Sequence, residues 1–147
     1  TDLSGCLGQS LASDHTDDPR FIERVVGRGE FKLANFKLIQ NQRPLQSIKQ
    51  IMSGEATCAL IDDAQLSELQ RVPEAVGVHV VWRSKKLPPM TVVAFPSAPA
   101  AERKSFQSKL RDVCDEDGRT ACAEVGIYAL ESANASDYAE IVTAYGR

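Results

Sequence analysis

The feature that most constrains this chain is the alternation of short apolar runs with helices that open at proline or aspartate. Residues 9–13 read as a short strand entering a polar turn. Asp17-Asp18-Pro19-Arg20 then starts a helix, with an aspartate able to cap and a proline where the missing N–H costs nothing. Phe21, Ile22, Val25 and Val26 repeat at helical spacing, and Gly27 and Gly29 stop the pattern. Residues 36–39 form a second strand. Pro44 opens a helix with Leu45, Ile48, Ile51 and Met52 on one face, ended at Ser53-Gly54. The unbroken apolar run 57–61 predicts a strand covered on both faces, followed by Asp62-Asp63 and a short helix over 64–69. Two further strands are expected at 78–82 and 91–95. Helices follow at roughly 100–113, 120–125 and 136–144. Such alternation predicts an α/β fold, a mainly parallel sheet flanked by helices.

Bulk composition narrows the function. The 147 residues suit one ordinary domain with a real core, and 43% hydrophobic with 25% charged residues is a soluble globular balance. A net charge of −3 with scattered Lys and Arg gives no nucleic-acid footprint. No apolar stretch approaches the roughly 20 residues of a membrane span. The chain opens with Thr1-Asp2 rather than Met, as a processed product or a fragment would, and this is compatible with export.

Cys6, Cys58, Cys114 and Cys122 include no C-x-x-C pair, so no zinc or thioredoxin-like site is expected. Cys114 and Cys122 flank the turn-forming Asp115-Glu116-Asp117-Gly118, which favours a local disulfide worth about 2–3 kcal/mol. A Cys6–Cys58 bridge is less favoured than two small buried apolar residues.

Ligands of open α/β sheets sit beyond the carboxyl ends of the strands, at helix N-termini. Three such places occur. The first is the loop Ser13-Asp14-His15-Thr16-Asp17, where Ser13, His15 and Thr16 supply donors beside a helix start suited to an anion. Against this, Asp17 and Asp18 can fill the helix start with their own carboxylates and repel a dianion. The second is Gln40-Asn41-Gln42-Arg43, where the Gln42 amide and the forked Arg43 donor suit a carboxylate or phosphate. An ordinary polar loop is the competing reading. The third is Asp62, placed to hold a ligand amine or hydroxyl, or to cap the next helix. No catalytic set is visible: His15 and His79 lie far apart, and no G-x-S-x-G, Walker loop or H-E-x-x-H occurs. No cofactor or metal is implied.

The segment 44–62, with Ser53-Gly54-Glu55-Ala56-Thr57 before its apolar strand and Asp62 after it, resembles the "helix, Gly-Glu-Ala-Asp, apolar strand, Asp" signature of the phosphonate-binding family. These are type II periplasmic solute-binding proteins of ABC transporters. Val80-Val81-Trp82-Arg83-Ser84 and residues 87–94 resemble the family's strands returning to the hinge. Residues 122–127 with Asp137-Tyr138 resemble its C-terminal end, and Asp2-Leu3-Ser4-Gly5 the opening of its second lobe. Where the family carries Ser-His at the opening of the helix, this chain has Arg43-Pro44, which moves the expectation away from phosphonate itself. Asp62 aligns with an acidic position lining the family's cleft.

The resemblance implies a periplasmic-binding-protein type II lobe over residues 1–95. A C-terminal helical segment, 96–147, would pack on it or on the hinge, the whole a compact part of a two-lobed protein. It implies a non-enzymatic, periplasmic or secreted protein that captures a small ligand, an oxyanion or phosphonate-like compound, for uptake or sensing. Its partner would be the membrane permease of an ABC transporter or a sensor protein, and its hinge-side surface leaves room for self-association. The second reading is a sensor or interaction domain that docks a partner protein and keeps only a vestigial pocket.

Overall fold

The computed structural model describes residues 2–41, 43–124 and 127–146. These divide into two compact units, Thr1–Leu87 with Glu140–Arg147, and Pro88–Ala139.

The first unit is built on three parallel strands: β1 (Ser10–Ser13), β2 (Lys37–Gln40) and β3 (Cys58–Ala59). Their order is β2-β1-β3, so the first strand in sequence is central. Leu11 faces Leu38 on one side and Cys58 on the other, and Ala12 faces Ile39 and Ala59. Parallel neighbours require crossovers, and helices supply them. Between β1 and β2 the helix begins at Pro19 and continues as a π-helix over Phe21–Val26. Between β2 and β3 runs α1 (Pro44–Met52), and α2 (Asp63–Leu69) follows β3. The expected α/β architecture is therefore present.

The core joins Leu11 of β1, Ile22 of the π-helix, Phe31 and Leu33. Phe31 meets Phe36 and Trp82 edge-on, with ring centroids 5.8 and 5.4 Å apart, a favoured aromatic geometry. The Trp82 indole N–H donates to Glu30 at 2.8 Å. Gly27 belongs to this packing: a Cβ there would lie 3.0 Å from the Phe31 ring and 3.1 Å from the Ile22 carbonyl. That carbonyl accepts the Gly27 N–H in the bond that closes the π turn.

Several expectations need correction. Residues 78–82 and 91–95 are not strands. β-propensity is the propensity to pack on a pleated neighbour, and neither run has a paired neighbour here. Trp82 instead contributes its ring to the core. In the second unit Met90, Val92, Val93 and Phe95 stay exposed between Pro88-Pro89 and Pro96. The run 57–61 forms only the two half-buried residues of β3 rather than a strand covered on both faces. The buried side of α1 also differs: Ser47, Ile48 and Gln50 are buried, while Leu45 and Met52 are exposed. A buried hydrogen bond from the Asn41 amide to the Ser47 hydroxyl, 2.8 Å, accompanies this rotation. That bond satisfies the Asn41 side-chain N–H and the Ser47 hydroxyl oxygen, while the Asn41 Oδ1 stays without a partner.

All four cysteines are paired. Cys114–Cys122 forms as expected, and Cys6–Cys58 forms against the expectation of free buried thiols. The turn before β1 places Cys6 beside β3, with 6.0 Å between the two Cα atoms, normal disulfide spacing. No sequence pattern reports that long-range approach.

The second unit holds α3 (Ala100–Ser108), a 3-10 segment Leu110–Cys114, a tight turn Glu116–Gly118 and α4 (Arg119–Glu124). Gly118 is required sterically, because a Cβ would fall 1.9 Å from the Val113 carbonyl oxygen. The Tyr138 hydroxyl donates to the Pro89 carbonyl at 3.0 Å. The last helix, α5 (Ala139–Gly146), belongs almost wholly to the first unit.

The Cys6→Ser/Cys58→Ser pair removes a bridge across a 52-residue separation and is expected to lower first-unit stability by about 4 kcal/mol, read by urea titration of Trp82 fluorescence. The Cys114→Ser/Cys122→Ser pair should leave that signal nearly unmoved. Gly118→Ala is expected to cost about 1–3 kcal/mol by overpacking, seen as loss of amide protection in α4.

Candidate functional site

Because all three strands are parallel, the loops that leave them emerge at one edge of the sheet. They carry residues 14–18 after β1, Asn41 and Arg43 after β2, and 60–62 after β3. Central β1 puts the first loop between the other two, so the three expected binding regions share this edge.

Ser13 is completely buried, and its hydroxyl accepts the His15 backbone N–H at 3.1 Å. Its carbonyl accepts the Asn41 N–H at 3.2 Å, tying the β1 and β2 exits together. Thr16 is also buried. His15 is half exposed and turns towards β3: its Nε2 lies 3.5 Å from Asp14 Oδ1 and 3.9 Å from Asp62 Oδ2.

Asp62 holds the start of α2. Its Oδ1 accepts the Gln65 N–H at 2.8 Å, while the Gln65 side-chain oxygen accepts the Asp62 N–H at 2.9 Å, a reciprocal capping box. The Gln65 amide also donates to Asp14 at 3.2 Å. Gln65 was no candidate in the sequence reading, although an Asp followed three residues later by Gln signals this cap. Asp62 thus spends one oxygen on the helix and turns the other to His15.

Asp18 caps the helix after β1. Its Oδ1 accepts the Phe21 N–H at 3.0 Å, and its Oδ2 accepts the Tyr145 hydroxyl of α5 at 3.0 Å. That hydrogen bond, with the Asp18 charge, pushes the Tyr145 phenol above its usual range. The contact is complete below the ordinary phenol pKa and is lost only as pH rises through the raised value. Arg20 lies over the Tyr145 ring at 5.6 Å, and Arg28 pairs with Glu140 at 2.6 Å, so α5 is held against the helix that follows the β1 loop.

With Asp18 as the cap, Asp17 is left for the other side of the edge. It lines a cleft of about 430 Å³ with Gln40, Asn41, Arg43 and Gln46. Arg43 is the N-cap residue of α1 and makes no side-chain cap hydrogen bond. Buried Asn41 keeps its Oδ1 without a partner. Gln42 lies outside the described residues. The edge therefore has two halves: a polar cleft containing Asp17 and Arg43 towards β2, and the His15–Asp14–Asp62–Gln65 cluster towards β3. Gln46 was missed because its place in the α1 sequence gives no sign that the helix start faces the β1 loop. Among the described residues, no group of three or more His, Cys, Asp or Glu is placed to hold a metal.

A family model described as the periplasmic substrate-binding protein of phosphonate ABC transporters matches residues 27–138, well over half of the chain. The chain belongs to this family. No curated protein matches it significantly. The matched region contains β2, α1 with Arg43, β3 and Asp62, whereas the loop with Ser13, His15, Thr16 and Asp17 precedes it. Membership of the phosphonate-binding family makes this a substrate-binding protein of ABC transport, a class that is in general non-enzymatic and extracytoplasmic. No helix among the described residues is long and apolar enough to cross a membrane.

Replacing Asp62 with Ala is expected to lower first-unit stability by about 1 kcal/mol through loss of the α2 cap, measured by urea denaturation. Asp62→Asn, which keeps a capping acceptor, should recover most of it.

Proposed function

We propose that the chain captures a small, strongly hydrophilic solute bearing an oxyanion, in the cleft between the β1 loop and the start of α1. The ligand is then passed to the membrane permease of an ABC transporter, or is sensed. The observation that supports this most is Arg43, exposed at the opening of α1 and lining a mostly polar cleft. A guanidinium grips a carboxylate, sulfonate or phosphonate by two parallel N–H donors, and the α1 N-terminus adds its positive dipole. Arg43 takes the position of the family's Ser-His pair, so one forked cation replaces a hydroxyl and an imidazole. Ser13 and Thr16 support the wall of the site from within, as buried groups that set the path of the β1 loop. His15 and Asp62 flank the edge on the β3 side, placed to meet a donor-bearing part of the ligand.

A second reading rests on a different observation. Met90, Val92, Val93 and Phe95 form an exposed apolar run, the kind of surface by which a binding fold docks onto a partner protein. In that case the cleft is vestigial.

A thermal-shift screen of oxyanions, carboxylates, phosphonates and amines distinguishes the two. A ligand at 100 times its dissociation constant raises stability by about 2.7 kcal/mol, readily seen. Arg43→Ala is expected to weaken a bound oxyanion about 10- to 100-fold by isothermal titration calorimetry. Retention of full affinity in that variant would rule out this cleft, and silence across every solute class would favour the docking reading.

A further inference from the structure

We infer that the cleft takes a small zwitterion, a solute with a cationic amine a few bonds from a single carboxylate-type anion, rather than a plain oxyanion. The inference rests on the cleft assignment above and adds the class of ligand.

Among the described residues, the lining is one carboxylate (Asp17), one guanidinium (Arg43) and three amides (Gln40, Asn41, Gln46). The exposed lining is mostly polar, so a mainly polar solute fits it better than one with an apolar tail. At about 430 Å³ the cleft lies near the lower end of ligand-pocket sizes, which suits a short molecule.

The two charges decide its kind. Asp17 and Arg43 line the same space without forming an ion pair, and among the described residues neither makes an ion pair with any other side chain. Nor is Asp17 engaged as a cap, since Asp18 accepts the Phe21 N–H. Opposite charges that share a cleft without meeting leave a gap that a ligand with both signs fills. Its anion accepts from Arg43 and its ammonium donates to Asp17. The amides between them, able to donate and accept, serve either end. A dianion would gain the same Arg43 contact but would face Asp17 directly, with Asp14 and Asp18 in the same loop adding like charge. A neutral zwitterion meets no such repulsion.

The test is isothermal titration calorimetry of the intact chain with glycine, β-alanine and 4-aminobutyrate. Acetate, propionate, butyrate and methylphosphonate serve as amine-free counterparts. The expected result is that at least one amino acid binds about tenfold or more tighter than its amine-free counterpart and than methylphosphonate. Asp17→Asn should close that gap from both sides, weakening the amino acid and strengthening the plain anion. Arg43→Gln should weaken both. If the plain anions bind as tightly as the amino acids, and Asp17→Asn leaves their ratio unchanged, the zwitterion class is overturned. Sensitivity to Arg43→Gln in that result would still leave oxyanion capture in place. Binding indifferent to Arg43→Gln, or no binding by any probe, overturns the cleft assignment together with the inference.

Discussion

The first unit depends on the backbone pairing of β1 with strands on both its sides. Four residues, Ser10 to Ser13, supply the register for β2 and β3, contribute Leu11 to the core, and end at the buried Ser13 from which the candidate site departs. A parallel ladder places every strand exit at the same edge. The three polar loops are therefore neighbours in space although they are separated by tens of residues in the chain. The Cys6–Cys58 bridge reinforces this arrangement by linking the turn before β1 to β3. It restricts the unfolded chain over the interval that contains both crossovers.

At that edge, structural and functional demands compete for the same polar side chains. The loop after β1 carries three aspartates, and the fold separates their roles. Asp18 caps a helix and accepts from Tyr145, Asp14 accepts from Gln65 and lies beside His15, and Asp17 remains on the cleft. Helix starts need acceptors for their free N–H groups, and anionic ligands need those same groups. The α2 start is satisfied by Asp62 and Gln65. The α1 start, with Arg43 as its N-cap, has no side-chain cap, so that start rather than α2 is the better place for an anion.

The sequence made the helices legible because their starts are chemically marked. Pro19 and Pro44 occupy the positions where proline costs least, and Asp18 and Asp62 stand where cap acceptors belong. The strands were legible only where a partner exists. Residues 9–13 and 36–39 correspond to β1 and β2 within a residue at each end, whereas 78–82 and 91–95 have the same β-branched composition and no ladder. Periodicity likewise misassigned the buried face of α1, because it counts apolar residues and cannot see the Asn41–Ser47 hydrogen bond that accompanies burial of the polar side.

Taken alone, the sequence determined the fold class, the local Cys114–Cys122 bridge, the polar loops available for binding and the family. Each is written in nearest-neighbour chemistry or in the order of motifs. The tertiary structure decided the Cys6–Cys58 pair, the three-strand order, and the division of the aspartates between capping and the cleft. It also placed Asp17 and Arg43 on one cleft without letting them meet. These are relations between residues far apart in the chain, and they exist only once parallel pairing about β1 has brought the strand exits to a common edge.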